Sequence, residues 1–146
     1  MRRQLTHALF LCVSPIICLA QQPSHNLSDY VGTWQAKFHG TTFITIKLVE
    51  KDGQFTGSAN YGDMSVDLSG EIIRVEAPEG DTPIVSSRLL PHGGLEVTSK
   101  GEDPNDTITV VLKITDASTG SIRFLQVPGD TSVVKPIAVE KTLPTS

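Results

Sequence analysis

Apolar and polar residues alternate along most of the chain with a period of two, the spacing of a half-buried strand rather than of a helix. Trp34, Ala36 and Phe38 fall on one face of the first such segment, with Thr33, Gln35 and Lys37 on the other. Ile44, Ile46 and Leu48 repeat the pattern. Lys51-Asp52-Gly53 then supplies the Asp-Gly pair that favours a tight hairpin, and Phe55, Gly57, Ala59 and Tyr61 return on the same face. Val66, Leu68, Gly70 and Ile72 predict a fourth strand, after which Ile73 and Val75 change parity, as a bulge or strand end requires. Residues 77–83, APEGDTP, predict a loop.

The second half repeats this grammar. Two strands, at 84–90 and 95–100, flank Pro91-His92-Gly93-Gly94, whose glycines suit a turn with positive φ. Ile108, Val110, Leu112 and Ile114 alternate most clearly of all. TDASTG turns that strand, residues 121–127 return with Ile122 and Phe124 inward, and PGDTS at 128–132 breaks the pattern again. A last strand at 137–142 has Pro136 at its start, where a missing amide is tolerated. No segment reads as a long helix. About eight or nine short strands joined by turns predict an all-β domain, an antiparallel up-and-down barrel or a sandwich.

The N-terminal segment stands outside this pattern. MRRQLTHALFLCVSPIICLA opens with Arg2 and Arg3, runs through an apolar core from residue 8 to 20, and ends in the small-x-small signal Cys18-Leu19-Ala20. These are the three parts of a secretory signal peptide, expected over residues 1–20 with cleavage after Ala20. Its apolar core is shorter than the ~20 residues needed to cross a bilayer as a helix, so no stable membrane insertion is expected. A lipoprotein signal needs a small residue before the modified cysteine, but Ile17 precedes Cys18 and Leu11 precedes Cys12. The mature chain is therefore expected to be secreted or periplasmic. Residues 21–29 read as a flexible stretch, 30–142 as the barrel domain and 143–146 as a tail.

Removing the leader changes the inventory. Both cysteines, Cys12 and Cys18, leave with it, so an oxidising compartment receives a chain without a disulfide, and stability rests on a packed core. The charge balance of 12 basic against 16 acidic residues loses Arg2 and Arg3, leaving ten against sixteen, a net −6. An acidic surface argues against nucleic acid or anionic membrane as partner. No segment reads as an oligomer seam.

Catalytic chemistry has little to build on. His25, His39 and His92 remain after processing and show no metal-ligand spacing. No Gly-x-Ser-x-Gly elbow, nucleophilic cysteine or phosphate-cradling glycine loop is present. GEDPND at 101–106 gathers Glu102, Asp103, Asn105 and Asp106 but lacks the alternating ligand order of a calcium loop, and reads as a solvated hairpin loop. Asn26-Leu27-Ser28 and Asn105-Asp106-Thr107 match the N-glycosylation pattern, which carries meaning in a eukaryotic host. The expectation is a binding module rather than an enzyme, with neither metal nor cofactor.

At Gly32-Thr33-Trp34 the chain resembles the calycin group of barrels, lipocalins and avidins among them, in which Gly-x-Trp begins the first strand. GTWQAKFHGTTFITIKLVEKDGQFTG, residues 32–57, is similar to the first three strands of avidin-like proteins in its Gly-Thr-Trp, Gly-Thr-Thr-Phe and Asp-Gly-x-Phe-Thr-Gly elements. Thr115-Asp116 and Arg123 loosely resemble later lipocalin motifs. Fatty-acid-binding proteins also open with Gly-Thr-Trp but insert two lid helices before their second strand, for which His39-Gly40 leaves no room. The resemblance implies a lipocalin-like or avidin-like barrel around a small ligand. Avidin-like proteins place an asparagine two residues after the tryptophan and a tyrosine two after the Thr-Gly to hold biotin. Ala36 and Ala59 occupy those places here, and the later tryptophans that wall the biotin pocket have no counterparts, so biotin binding does not follow.

On this reading Trp34 plugs the barrel base, a burial worth about 2–3 kcal/mol. Ala36, Phe38, Gly57, Ala59 and Tyr61 are the candidate ligand-binding residues, and the expected partner is a small apolar molecule. Gly57 has an alternative role, letting its strand coil at a barrel corner. The alternative function is a structural or protein-interaction β-domain with a filled core and no small-molecule site.

Overall fold

The computed structural model describes residues 26–101, 103, 105–127 and 133–142. The leader, His25, the break at 128–132 and the tail lie outside them. One short helix, α1 (Leu27–Tyr30), precedes ten strands: β1 (Gly32–Phe38), β2 (Thr41–Lys51), β3 (Gln54–Tyr61), β4 (Met64–Val66), β5 (Ile72–Val75), β6 (Thr82–Leu89), β7 (Leu95–Lys100), β8 (Thr107–Ile114), β9 (Thr119–Gln126) and β10 (Ile137–Thr142). Eight of these close an antiparallel barrel in the order β1-β10-β9-β8-β7-β6-β3-β2. Strands β4 and β5 pair only with each other.

Local chemistry sets the hairpins. His39 (φ 48°) with Gly40 (φ 85°), and Asp52 (φ 54°) with Gly53 (φ 76°), are two-residue turns with both φ angles positive. This primed geometry matches the twist of the strands it joins, so β1, β2 and β3 form a meander. The ring closes between its first and last strands, with Thr33 opposite Thr142 and Gln35 opposite Glu140. Closure leaves no free sheet edge at that seam.

The predicted fourth strand is corrected by the structure. Residues 67–71 form a turn between β4 and β5, because the Asp67 carboxylate folds the backbone onto itself. Its Oδ1 accepts from the Ser69 amide at 2.8 Å, the Ser69 hydroxyl at 2.7 Å and the Glu71 amide at 3.0 Å. Such local side-chain bonds compete with a strand ladder. Leu68, read as one of the strand's apolar positions, stands fully exposed at the tip. The loop read at 77–83 ends earlier, since Thr82 and Pro83 already pair with Ala59 and Ser58.

The core follows the alternation. Trp34, Ala36, Ile44, Ile46, Leu48, Leu95, Val97, Val110, Leu112, Ile122 and Val139 all point inward and are almost wholly buried. Phe43 and Thr45 are buried too, although their parity predicts an outward aspect. For Phe43 the cause is the bulge that slips the β1–β2 register between Ala36 and Lys37, turning the backbone by one residue.

Candidate functional site

The two ends of the barrel differ. Helix α1 closes one, and its start is a capping box in which the Asn26 amide donates to Asp29 Oδ2 at 2.8 Å. Leu27 packs on the core, and Tyr30 is buried with its ring edge-on to Phe55 at 6.2 Å. The Trp34 indole N–H donates to the Tyr30 carbonyl at 2.9 Å. Lys141 Nζ lies 5.3 Å from the Trp34 ring centroid and donates to the Asp29 carbonyl at 3.0 Å. This end is a base sealed by an aromatic, its indole donor satisfied and a cation set over its face.

Just above the base, Ala36 and Ala59 have 0% and 1% of their surface accessible, so no space the size of a water molecule adjoins either one. They pack against the core. A ligand at their level has to displace side chains already in contact. Gly57 is exposed, and its φ of 138° together with the Lys47 carbonyl 1.9 Å from where a Cβ would stand gives it a backbone role. A side chain does not fit there.

Toward the opposite end the inner face changes. Phe38, Tyr61, Ile84, Ile108 and Phe124 pack against the core but are only half-buried. Met64, Ile72 and Val75 of the β4–β5 hairpin, with Val134, also pack against the core. The hairpin is tied down at its margins, by the Gly62 amide on the Phe43 carbonyl at 2.6 Å, the Lys135 amide on the Gly70 carbonyl at 3.1 Å and a Lys135–Glu71 ion pair at 2.7 Å. Of the expected site, Phe38 and Tyr61 are half-buried whereas Ala36 and Ala59 are fully buried, and the ladder sets Ala36, Ile44 and Tyr61 in one cross-strand row and Trp34, Ile46 and Ala59 in the next.

Polar groups inside this end are few. Tyr61 meets Phe124 edge to face, ring centroids 5.7 Å apart. Burial pushes its phenol up to about 12, against a smaller lowering by the Ser99 hydroxyl. Ser99 itself is fully buried. The two hydroxyls face one another in that buried row, the Ser99 hydroxyl acting on the phenol as a hydrogen-bonding neighbour. Ser99 was absent from the expected site, although its parity with Leu95 and Val97 signals a hydroxyl set into an apolar row.

On the outer wall, β3 and β6 pair regularly only at Ser58–Pro83 and Ala59–Thr82. Beyond those two pairs no ladder joins them: β6 slips its register against β7 between Ile84 and Ser86, and the Ser87 hydroxyl reaches the Phe55 carbonyl at 3.4 Å. The gap forms a groove of about 470 Å³ with Leu27, Phe55 and Leu95 among its lining, flanked by Gln54, Thr56 and residues 84–89. A second, shallower hollow of about 320 Å³ runs along the hairpin past Asp63, Met64, Ser65, Arg74 and Glu76. Beside the seam, Asp81 accepts from Lys47 at 2.8 Å, Ser58 at 3.1 Å and Asn60 at 2.6 Å, which pins the loop before β6 to the barrel wall. The Lys47 contact leads in holding the Asp81 carboxyl below the usual range, with Ser58 and Asn60 adding to it.

His39 is exposed and stacked on Phe38 at 4.1 Å, and His92 is exposed in its turn. Among the described residues no three His, Cys, Asp or Glu side chains are placed to hold a metal ion. Comparison with known proteins finds no matching family model, no matching curated protein and no matching solved structure.

Proposed function

We propose that this chain is an exported, calycin-like carrier whose capped barrel end takes one small and largely apolar molecule. The contrast between the two ends supports the reading. Inward side chains at the base are sealed, whereas Phe38, Tyr61, Ile84, Ile108 and Phe124 are only half-buried, and a hairpin that belongs to no barrel ladder packs against the same core. An apolar enclosure with a few polar groups is the usual character of a small-molecule site. The test is titration of an environment-sensitive apolar dye into the folded protein. Saturable binding is expected, weakened at least several-fold by Ile108→Trp, which fills the capped end. Absent binding, or binding indifferent to Ile108→Trp, refutes it.

The parted seam between β3 and β6 favours a second reading, an interaction domain that takes an extended segment of a partner protein into its groove. Unladdered strand edges offer main-chain hydrogen bonds, and an apolar floor offers side-chain pockets. Thr56→Arg obstructs this groove without touching the capped end. It is expected to leave dye binding unchanged if the first reading holds and to abolish it if the dye reports the groove.

A further inference from the structure

Resting on the second reading, the groove between β3 and β6 as a docking surface, we propose that its occupant is the β4–β5 hairpin of a second copy of this chain, led by Leu68. Both halves of the contact lie on the surface. Leu68 is fully exposed at the hairpin turn, Ile73 of β5 is exposed, and so is Val133, whose carbonyl lies against Gly70 of the same turn. At the seam the exposed counterparts are Val85 and Leu89 of the groove wall and Val49, which sits opposite Thr56. Of the large apolar side chains exposed among the described residues, only Leu125 lies outside these two clusters. Exposed apolar surface gathered in this way marks interaction sites.

The two clusters cannot meet within one molecule. Gly53 to Thr56 bring the groove to the start of β3, whereas the hairpin begins at Met64, just past the end of that strand. The eight residues Gln54–Tyr61 separate them by about 26 Å. The Lys135 amide, bonded to the Gly70 carbonyl, holds the turn at the end of the barrel where β10 begins, so the hairpin does not fold back along the wall. A second copy supplies the partner. Charge agrees, because the groove lining includes Arg88 and no carboxylate in a chain with 16 acidic against 12 basic residues, and the incoming turn carries Asp67 and Glu71. Arg88 stays 68% exposed while paired with Glu96. Three bonds to Asp67 Oδ1 fix the turn in advance, which lowers the ordering cost of docking. Beyond two residue pairs no ladder joins β3 to β6, and β4 and β5 ladder only with each other, so each side of the contact presents strand edge. Such a head-to-tail contact does not close on itself, and copies add in open rows.

Leu68→Asp and Thr56→Arg alter one side each, both at exposed positions, and circular dichroism confirms that each variant is folded. In sedimentation velocity over roughly 10 μM to 1 mM, the wild-type protein is expected to pass from monomer through dimer to longer species. Each variant is expected to stay monomeric, its association weakened at least roughly tenfold. Mixed in equal amounts, the two variants bring together one intact groove and one intact hairpin, and a dimer that grows no further is expected. A wild-type protein monomeric throughout overturns the second copy as occupant and leaves the groove to other partners. Association that Thr56→Arg abolishes and Leu68→Asp does not keeps the groove as a docking surface and overturns the hairpin as its occupant. Association that survives Thr56→Arg overturns the groove itself, and the interaction reading with it. A mixture that stays monomeric overturns the head-to-tail pairing.

Discussion

Replacing Trp34 with Phe tests the sealed base, because it keeps an aromatic ring on β1 and removes the indole N–H. Trp34 is wholly buried and donates to the Tyr30 carbonyl at 2.9 Å, one of the bonds that join α1 to the barrel. Loss of that buried hydrogen bond costs about 1–3 kcal/mol. The smaller ring leaves a void worth about 1 kcal/mol more, while the Lys141 cation retains a ring face. The expected loss is therefore about 2–4 kcal/mol, somewhat under the ~3–5 kcal/mol of truncation to Ala. For a domain of this size that lowers the melting temperature by roughly 10–15 °C, and against a typical stability of 5–15 kcal/mol the variant still folds in the cold. Urea unfolding followed by far-UV circular dichroism measures it, since the only tryptophan is gone. A midpoint shift equivalent to less than ~0.5 kcal/mol refutes the plug, as does free acrylamide quenching of Trp34 in the native wild type.

Two further outcomes follow from backbone and titration. Gly57→Ala forces a Cβ to within 1.9 Å of the Lys47 carbonyl at a φ of 138°, so a loss on the order of 3 kcal/mol or failure to fold is expected, and a wild-type urea midpoint refutes the close approach. The Tyr61 phenol titrates near 12 when folded and near 10 when unfolded, so between those values the unfolded chain releases a proton that the folded chain retains. Stability is then unaffected below about pH 10 and falls above it by up to roughly 3 kcal/mol, a fall that Tyr61→Phe removes. Urea midpoints at about pH 9 and about pH 11.5 check it, and equal alkaline losses in both proteins reject the assignment to Tyr61.

Much of the barrel was legible because alternation reports which residues face inward, whatever the strand's partner. The segments at 95–100 and 137–142 match β7 and β10, and the Asp52-Gly53 turn sits where its dipeptide places it. Residues 66–72 misled for a local reason: Val66, Leu68, Gly70 and Ile72 alternate perfectly, but one Asp67 oxygen gathers three donors and turns the chain. Phe43 escaped because a bulge breaks the parity rule, and that bulge arises between strands. The candidate site divided in the same way. Phe38 and Tyr61 are half-buried whereas Ala36 and Ala59 are fully buried, because parity assigns a face and says nothing of how tightly each position is packed. The gap between β3 and β6 depends on how far two strands separated by the hairpin can pair, which no local pattern encodes.

The pairing of β1 with β10 also sets an order of events. Trp34 lies opposite Lys141, more than a hundred residues later in the chain, and the cation over its ring and the bond to Asp29 both come from that lysine. The hairpins β1–β2–β3 and β7–β8–β9 are local and can form as soon as they are made, but the ring stays open until the last strand arrives. A nascent chain lacking its final strand exposes the long edge of β1 and an uncovered tryptophan. The finished barrel and its aromatic seal thus appear together, in one late step.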